Sequence, residues 1–150
     1  MFICLIVAVL LPGACLGQVA GTWKMIPSKS HYGADMRPKA LSVTYEVKQD
    51  AEVWTFRQVR NDGFSETTSQ SLRFDGKEYP CGDLGLESEP DGLIASKVNT
   101  HTVEVRYRKS GKLIRQVVRT ISTDGKELTL EVYVSSSSGM ARQQRMVFAR

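Results

Sequence analysis

From residue 40 onward the chain repeats one pattern, in which apolar and polar residues alternate over a short run before a turn. The run 41–47, for example, is apolar at every odd position and polar at every even one. A period of two predicts a β-strand with one buried face. The same pattern predicts eight or nine strands: a first one around Trp23, then 40–47, 53–60, 64–74, 93–98, 102–108, 112–121, 128–134 and 142–148.

Short turn signals separate most of these strands, among them Asn61, Asp62 and Gly63, and later Ser110 and Gly111. Such residues tolerate the positive φ of tight hairpins. Consecutive hairpins predict an all-β, antiparallel up-and-down meander, which removes its edges by closing into an eight- or nine-stranded barrel. A β-sandwich is the alternative, with 80–92 as its longer crossing connection. No segment after Gly33 has a helical period, which excludes a parallel α/β sheet.

The first 17 residues differ from the rest because they carry no charge and begin with an apolar run over 2–11. That run is too short for a transmembrane helix of roughly 20 residues, and the small residues after it are typical of a signal-peptide cleavage region. We therefore expect a signal peptide at 1–17, a single domain at 18–150, and a secreted or periplasmic protein without a transmembrane segment. The alternative is a lipid anchor on Cys15.

Charge and cysteine content narrow the class of protein further. The formal net charge of +4 is dispersed along the strands, so it forms no basic stripe for nucleic acid but would not repel an anionic ligand. Of the three cysteines, only Cys81 lies beyond the expected signal region, so no disulfide framework holds the domain. Its stability must come from a packed core.

Trp23 follows Gly21 and Thr22 on the first predicted strand. Lipocalin-type barrels begin in this way, with the indole closing one end and an arginine of the last strand stacked over it. We predict Arg142 or Arg145 for that role. An ordinary core aromatic is the alternative interpretation of Trp23.

Three segments, 21–30, 74–80 and 122–129, resemble in order and spacing small secreted proteins of unknown function from soil bacteria. The resemblance implies a lipocalin-like or calycin-like β-barrel and carries no activity over to this chain. At Cys81 the chain departs from the small aliphatic residue that this group tends to have.

A barrel of about eight strands can hold one small ligand if side chains do not fill it. Candidate lumen residues are Tyr45, Trp54, Phe56 and Tyr107, with core packing as the simpler role of these aromatics. On strand 112–121 one face carries Arg115 and Arg119, and burial of two guanidinium groups is costly. We therefore expect the opposite face, residues 114, 116, 118 and 120, to point inward; otherwise the arginines must meet a carboxylate of the protein or of a ligand.

Catalytic and metal-binding signals are weak. A nucleophilic site at Cys81 would need a base, but His31 and His101 are predicted to lie far from it. No cysteine and histidine cluster has metal-ligand spacing, and the acidic residues Asp83 to Asp91 lack the ligand order of an EF-hand. We predict no cofactor, no metal and no enzyme activity.

The favoured function is a non-catalytic protein that binds a small apolar or amphipathic ligand. The alternative is a surface module that docks an envelope protein or an anionic polymer, with no internal ligand.

Overall fold

A computed structural model of the protein describes residues 19–33, 37–81 and 90–150. Within these ranges the chain is all β apart from one 3₁₀ turn, Pro27–Lys29. The strands are β1 (Gly21–Met25), β2 (Ala40–Val47), β3 (Glu52–Val59), β4 (Ser65–Leu72), β5 (Glu78–Pro80), β6 (Gly92–Lys97), β7 (Thr102–Lys109), β8 (Lys112–Ile121), β9 (Glu127–Ser136) and β10 (Gly139–Ala149).

All ten strands belong to one antiparallel sheet with the order β4-β3-β2-β1-β10-β9-β8-β7-β6-β5. This confirms the predicted meander, and the single sheet replaces the sandwich alternative. The count of eight or nine strands was wrong, because the three residues of β5 are too few to show an alternation. The described sheet also does not close into the predicted barrel, because its two edge strands, β4 and β5, are not hydrogen-bonded to each other. We call the gap between them the open seam.

The hairpins use the turn chemistry expected from the sequence. Between β7 and β8, Ser110 and Gly111 have φ values of 49° and 75°. Two successive residues of positive φ match the right-handed twist of the flanking strands. Successive hairpins place the β2–β3, β4–β5, β6–β7 and β8–β9 turns at one end of the sheet, which we call the closed end. The β3–β4, β7–β8 and β9–β10 turns lie at the opposite, open end.

Trp23 is fully buried at the closed end, where its Nε1 donates a hydrogen bond of 2.8 Å to the Val19 carbonyl. The guanidinium over its ring is that of Arg150, at 4.4 Å from the ring centroid, so the choice of Arg142 or Arg145 was wrong. The register explains why. Lys24 pairs with Ala149, and position 145 is roughly 13 Å further along β10 at 3.3 Å per residue.

Arg142 and Arg145 instead face Glu131 of β9, with guanidinium nitrogens 2.9 Å and 4.0 Å from the Glu131 carboxylate.

Among the described residues no helix is long and apolar enough to cross a membrane. The predicted signal segment 1–17 with Cys15 lies outside the described residues, and so does most of the acidic loop around Asp83.

Side chains of the inward face divide into two levels. The deep half, next to the closed end, consists of buried residues: Trp23, Val43, Tyr45, Glu52, Trp54, Leu72, Val103, Arg119, Ile121, Leu128, Leu130 and Phe148. In the upper half, toward the open end, Leu41, Leu93, Val105 and Tyr107 are buried, and the other inward side chains are partly exposed. The partly exposed members are Phe56, Gln58, Thr68, Gln70, Arg115, Val117, Val132 and Gln144.

Candidate functional site

Strand β8 turns its arginine-bearing face inward. Arg119 pairs with Leu130 of β9 and is only 3% exposed, whereas Thr120 is exposed. The expected inward face of residues 114, 116, 118 and 120 was therefore wrong, although Ile114 also packs against the core. The prediction failed because it treated a buried arginine as uncompensated, and the alternative, in which the arginine meets a carboxylate of the protein, applies to Arg119.

The carboxylate is that of Glu52, the first residue of β3, which is 1% exposed. Arg119 donates from Nη1 to Glu52 Oε2 at 2.5 Å and from Nη2 to Oε1 at 3.3 Å. Trp54 Nε1 donates to the same Oε2 at 2.9 Å. The buried Arg119–Glu52 pair is therefore bidentate, and the carboxylate accepts three hydrogen bonds in all. These bonds fix both side chains, and the pairing neutralises both charges.

Aromatic rings enclose this ion pair. The Arg119 guanidinium carbon lies 4.9 Å from the Tyr45 ring centroid and 5.1 Å from that of Trp54. The two rings meet edge to face at 5.3 Å. Burial raises the pKa of the Tyr45 hydroxyl, and the neighbouring Arg119 opposes this rise. In the described part of the chain, Tyr45 Oη and Arg119 Nε are buried without a hydrogen-bond partner.

The upper half has a different polar group around Tyr107 of β7. Tyr107 Oη donates a hydrogen bond of 2.7 Å to Gln70 Oε1 of β4, which links the two sides of the open seam. Burial raises the pKa of Tyr107. The guanidinium of Arg115, its partner on β8, lies 5.9 Å from the tyrosine ring centroid. Over the described ranges, Arg115 forms no salt bridge with any carboxylate.

A groove of about 600 Å³ leads from the open rim toward this half of the interior. Its outer part carries Arg60, which pairs with Asp62 at 3.1 Å and stacks on the exposed ring of Phe64 at 5.6 Å. The lining consists of Arg37, Pro38, Gln58, Arg60, Asn61, Asp62 and Gln144. Since Gln58 and Gln144 also belong to the inward face, the groove joins solvent to the upper half.

The four predicted lumen residues all face inward, but not at one level. Tyr45 and Trp54 belong to the deep cluster, and the Phe56 and Trp54 ring centroids are 6.4 Å apart. Tyr107 lies across the open seam, where it is hydrogen-bonded to Gln70 of β4. Sequence reasoning missed Glu52. It lies at an even position of β3, like Trp54 and Phe56, so the alternation could have predicted that it faces inward. Sequence reasoning also missed Gln70, which the polar run in β4 concealed.

The structure separates the residues considered for catalysis. Cys81 follows β5 toward the open end, where its amide donates to the Asp91 carbonyl at 3.1 Å. His101 lies in the β6–β7 turn at the closed end, and His31 pairs with Arg145 beside β10. No group of three metal-ligating side chains occurs in the described ranges.

No protein-family model matches the sequence, and no curated protein matches it either. Solved structures show similarity of fold at low sequence identity. A point mutant of the fluorescent protein UnaG matches at TM-score 0.61 and 15% identity, over 89% of this chain and 96% of that one. Zebrafish ileal bile acid-binding protein, complexed with cholic acid, matches at 0.55 and 16%, over 89% and 99%.

Lobster apocrustacyanin A1 matches at TM-score 0.50 and 15% identity, over 90% of this chain and 62% of that one. Together with the ten-stranded meander, these matches show a calycin-like, lipocalin-like β-barrel fold.

Proposed function

We propose that this protein is a non-catalytic binding protein that holds one small apolar or amphipathic molecule in the upper half of its barrel. One observation carries the proposal: the inward-facing side chains of the deep half are buried, whereas many of those in the upper half, Phe56, Val117 and Val132 among them, are only partly buried. We infer that the exposed parts of these three side chains, which pack against the core, offer apolar surface to a ligand. A concave apolar space with a few polar groups is the usual form of a small-molecule site.

The comparison with zebrafish ileal bile acid-binding protein supports this proposal. That protein is described as a complex with cholic acid, which shows that a barrel of this fold accommodates an amphipathic molecule. The separation of Cys81 from both histidines favours a non-catalytic role. We further propose that the protein acts outside the cytoplasm. This location rests on residues 1–17 alone and stays a prediction.

The direct test fills the interior with a larger side chain. Val117 and Val118 are neighbours on β8, and both are partly buried, but Val117 faces the interior and Val118 pairs with Glu131 on the outer face. We expect Val117→Trp to weaken binding of the neutral fluorescent dye N-phenylnaphthylamine at least about tenfold, since an indole occupies space the dye needs. Val118→Trp should leave the affinity unchanged.

Equal affinities in both variants, or no binding to the wild-type protein, would contradict the proposal. Native mass spectrometry of the full chain, purified from the cells that make it, adds an independent measurement. A stoichiometric small molecule would identify the ligand class.

A further inference from the structure

We infer that the ligand is an anionic amphipathic molecule whose acid group binds Arg115, and that Glu52 prevents Arg119 from acting as a second anion site. The inference rests on the proposed function, because it assigns the chemistry of the same upper half. It follows from the unequal environments of two arginines on one strand.

Arg115 faces the interior at the level of Tyr107 and Val134, its partners on the neighbouring strands. Its one described contact is with the face of the Tyr107 ring, which orients the guanidinium without neutralising it. A partly buried, uncompensated charge lowers stability, and a planar guanidinium binds a carboxylate or sulfonate through two parallel hydrogen bonds. An anionic ligand would thus supply the counter-charge that the described residues do not.

Arg119 is already neutralised. Both of its terminal nitrogens donate to Glu52, and the pair lies beneath the Tyr45 and Trp54 rings. A second carboxylate there would bring two like charges together in a site of low dielectric constant. The pair therefore disfavours an acid group at the bottom of the barrel.

The spacing of the two arginines gives the ligand a direction. Four residues of strand separate them, roughly 13 Å at 3.3 Å per residue. Arg115 is three residues from Lys112, where β8 begins at the open end. The acid group would bind near the mouth, and the apolar part would pack beside Phe56, Val117 and Val132, above the deep ion pair.

Two dyes with the same ring system separate charge from shape. Anilinonaphthalene sulfonate carries an acid group, and N-phenylnaphthylamine lacks it. We expect Arg115→Gln to weaken sulfonate-dye binding by about 10- to 100-fold, the usual range for a charge-assisted hydrogen-bonded pair, and to change affinity for the neutral dye less than twofold. The control is Arg57→Gln, which removes the same charge from an exposed position on β3 and should affect neither dye.

A second variant tests Arg119. The double replacement Glu52→Leu with Arg119→Met removes both charges of the deep pair together and should leave sulfonate-dye affinity within twofold. A tenfold loss in this variant, or wild-type affinity in Arg115→Gln, would overturn the inference while the neutral dye still reports a binding barrel. Failure of both dyes to bind the wild-type protein would instead overturn the proposed function itself. Circular dichroism of each variant confirms that it is folded.

Discussion

The deep and upper halves of the barrel are built from the same strands with the same alternation, yet the inward side chains are buried in the deep half and only in part buried in the upper half. In the deep half, aromatic rings and an ion pair fill the space, and polar groups mostly satisfy one another. In the upper half, glutamines, a threonine and Arg115 share the inward face with a few apolar side chains. Alternation therefore shows which residues of a strand share a face, whereas side-chain size and charge pairing decide whether space remains on the inward face for a ligand.

The comparison also shows how this fold accommodates charge in its interior. Arg119 and Arg115 lie on the same face of β8, but the first is paired within the protein and the second is not. Burying a pair of ions costs desolvation that their attraction only partly offsets. We expect the deep pair to specify the packing of its half more than to add net stability.

The largest effect should come from breaking that deep pair. Glu52→Gln leaves the Arg119 charge buried without a counter-ion, so the free energy of unfolding should fall by about 3–5 kcal/mol in urea denaturation. The exposed pair of Arg142 and Glu131 is the control, because Glu131→Gln should cost less than about 1 kcal/mol. Equal losses in the two variants would show that the deep pair is not specially protected.

The same side-chain truncation should have unequal effects in the two halves. Val43 is completely buried beside Trp23, and Val132 is partly exposed on the upper inward face. We expect Val43→Ala to lower the free energy of unfolding by about 2–3 kcal/mol, from lost burial plus the cavity created, and Val132→Ala to lower it by under about 1 kcal/mol. A similar loss at both positions would mean that the upper half is packed too.

Tyrosine ionisation offers a test by pH. Burial raises the pKa of Tyr32, whose hydroxyl donates to Met25 Sδ at 2.6 Å, to about 12. A raised pKa favours the folded state while the hydroxyl is neutral, so this contribution is complete below pH 10 and is lost as the pH rises toward 12.

We expect the urea midpoint of the wild-type protein to fall above pH 10 and that of Tyr32→Phe to fall less. The buried Tyr45 and Tyr107 account for the decline that remains in the variant, since burial raises the pKa of each. Identical pH profiles for the two proteins would contradict this assignment.

The smallest effect should come from the closed-end stack. Arg150→Ala removes the cation that stacks on the buried Trp23 indole. Because Arg150 itself is exposed, we expect the free energy of unfolding to fall by only about 0.5–1 kcal/mol. Arg142→Ala should not change the emission of Trp23 in a Trp54→Phe background, whereas Arg150→Ala should. An emission change only in the Arg142 variant would restore the original prediction.

Much of the fold was accessible from the sequence because strand alternation and hairpin chemistry are local. The nine longer strands and the inward position of Tyr45, Trp54 and Tyr107 follow from period two and register parity. Three features did not follow. The three residues of β5 are too few for a periodic signal, the stacking arginine depends on the β1–β10 register, and the inward face of β8 depends on Glu52, which is 67 residues away in sequence.

The order of strands in the sheet has a consequence for how the chain folds. Every pairing joins neighbours in sequence except that of β1 with β10, which brings together the two ends of the domain. Bringing together the ends of so long a segment has a larger loop-closure entropy cost than forming a hairpin. A circular permutant cut in the β4–β5 turn, with β10 linked to β1, would contain only hairpin pairings, so it should reach the same sheet with lower contact order and a faster refolding phase.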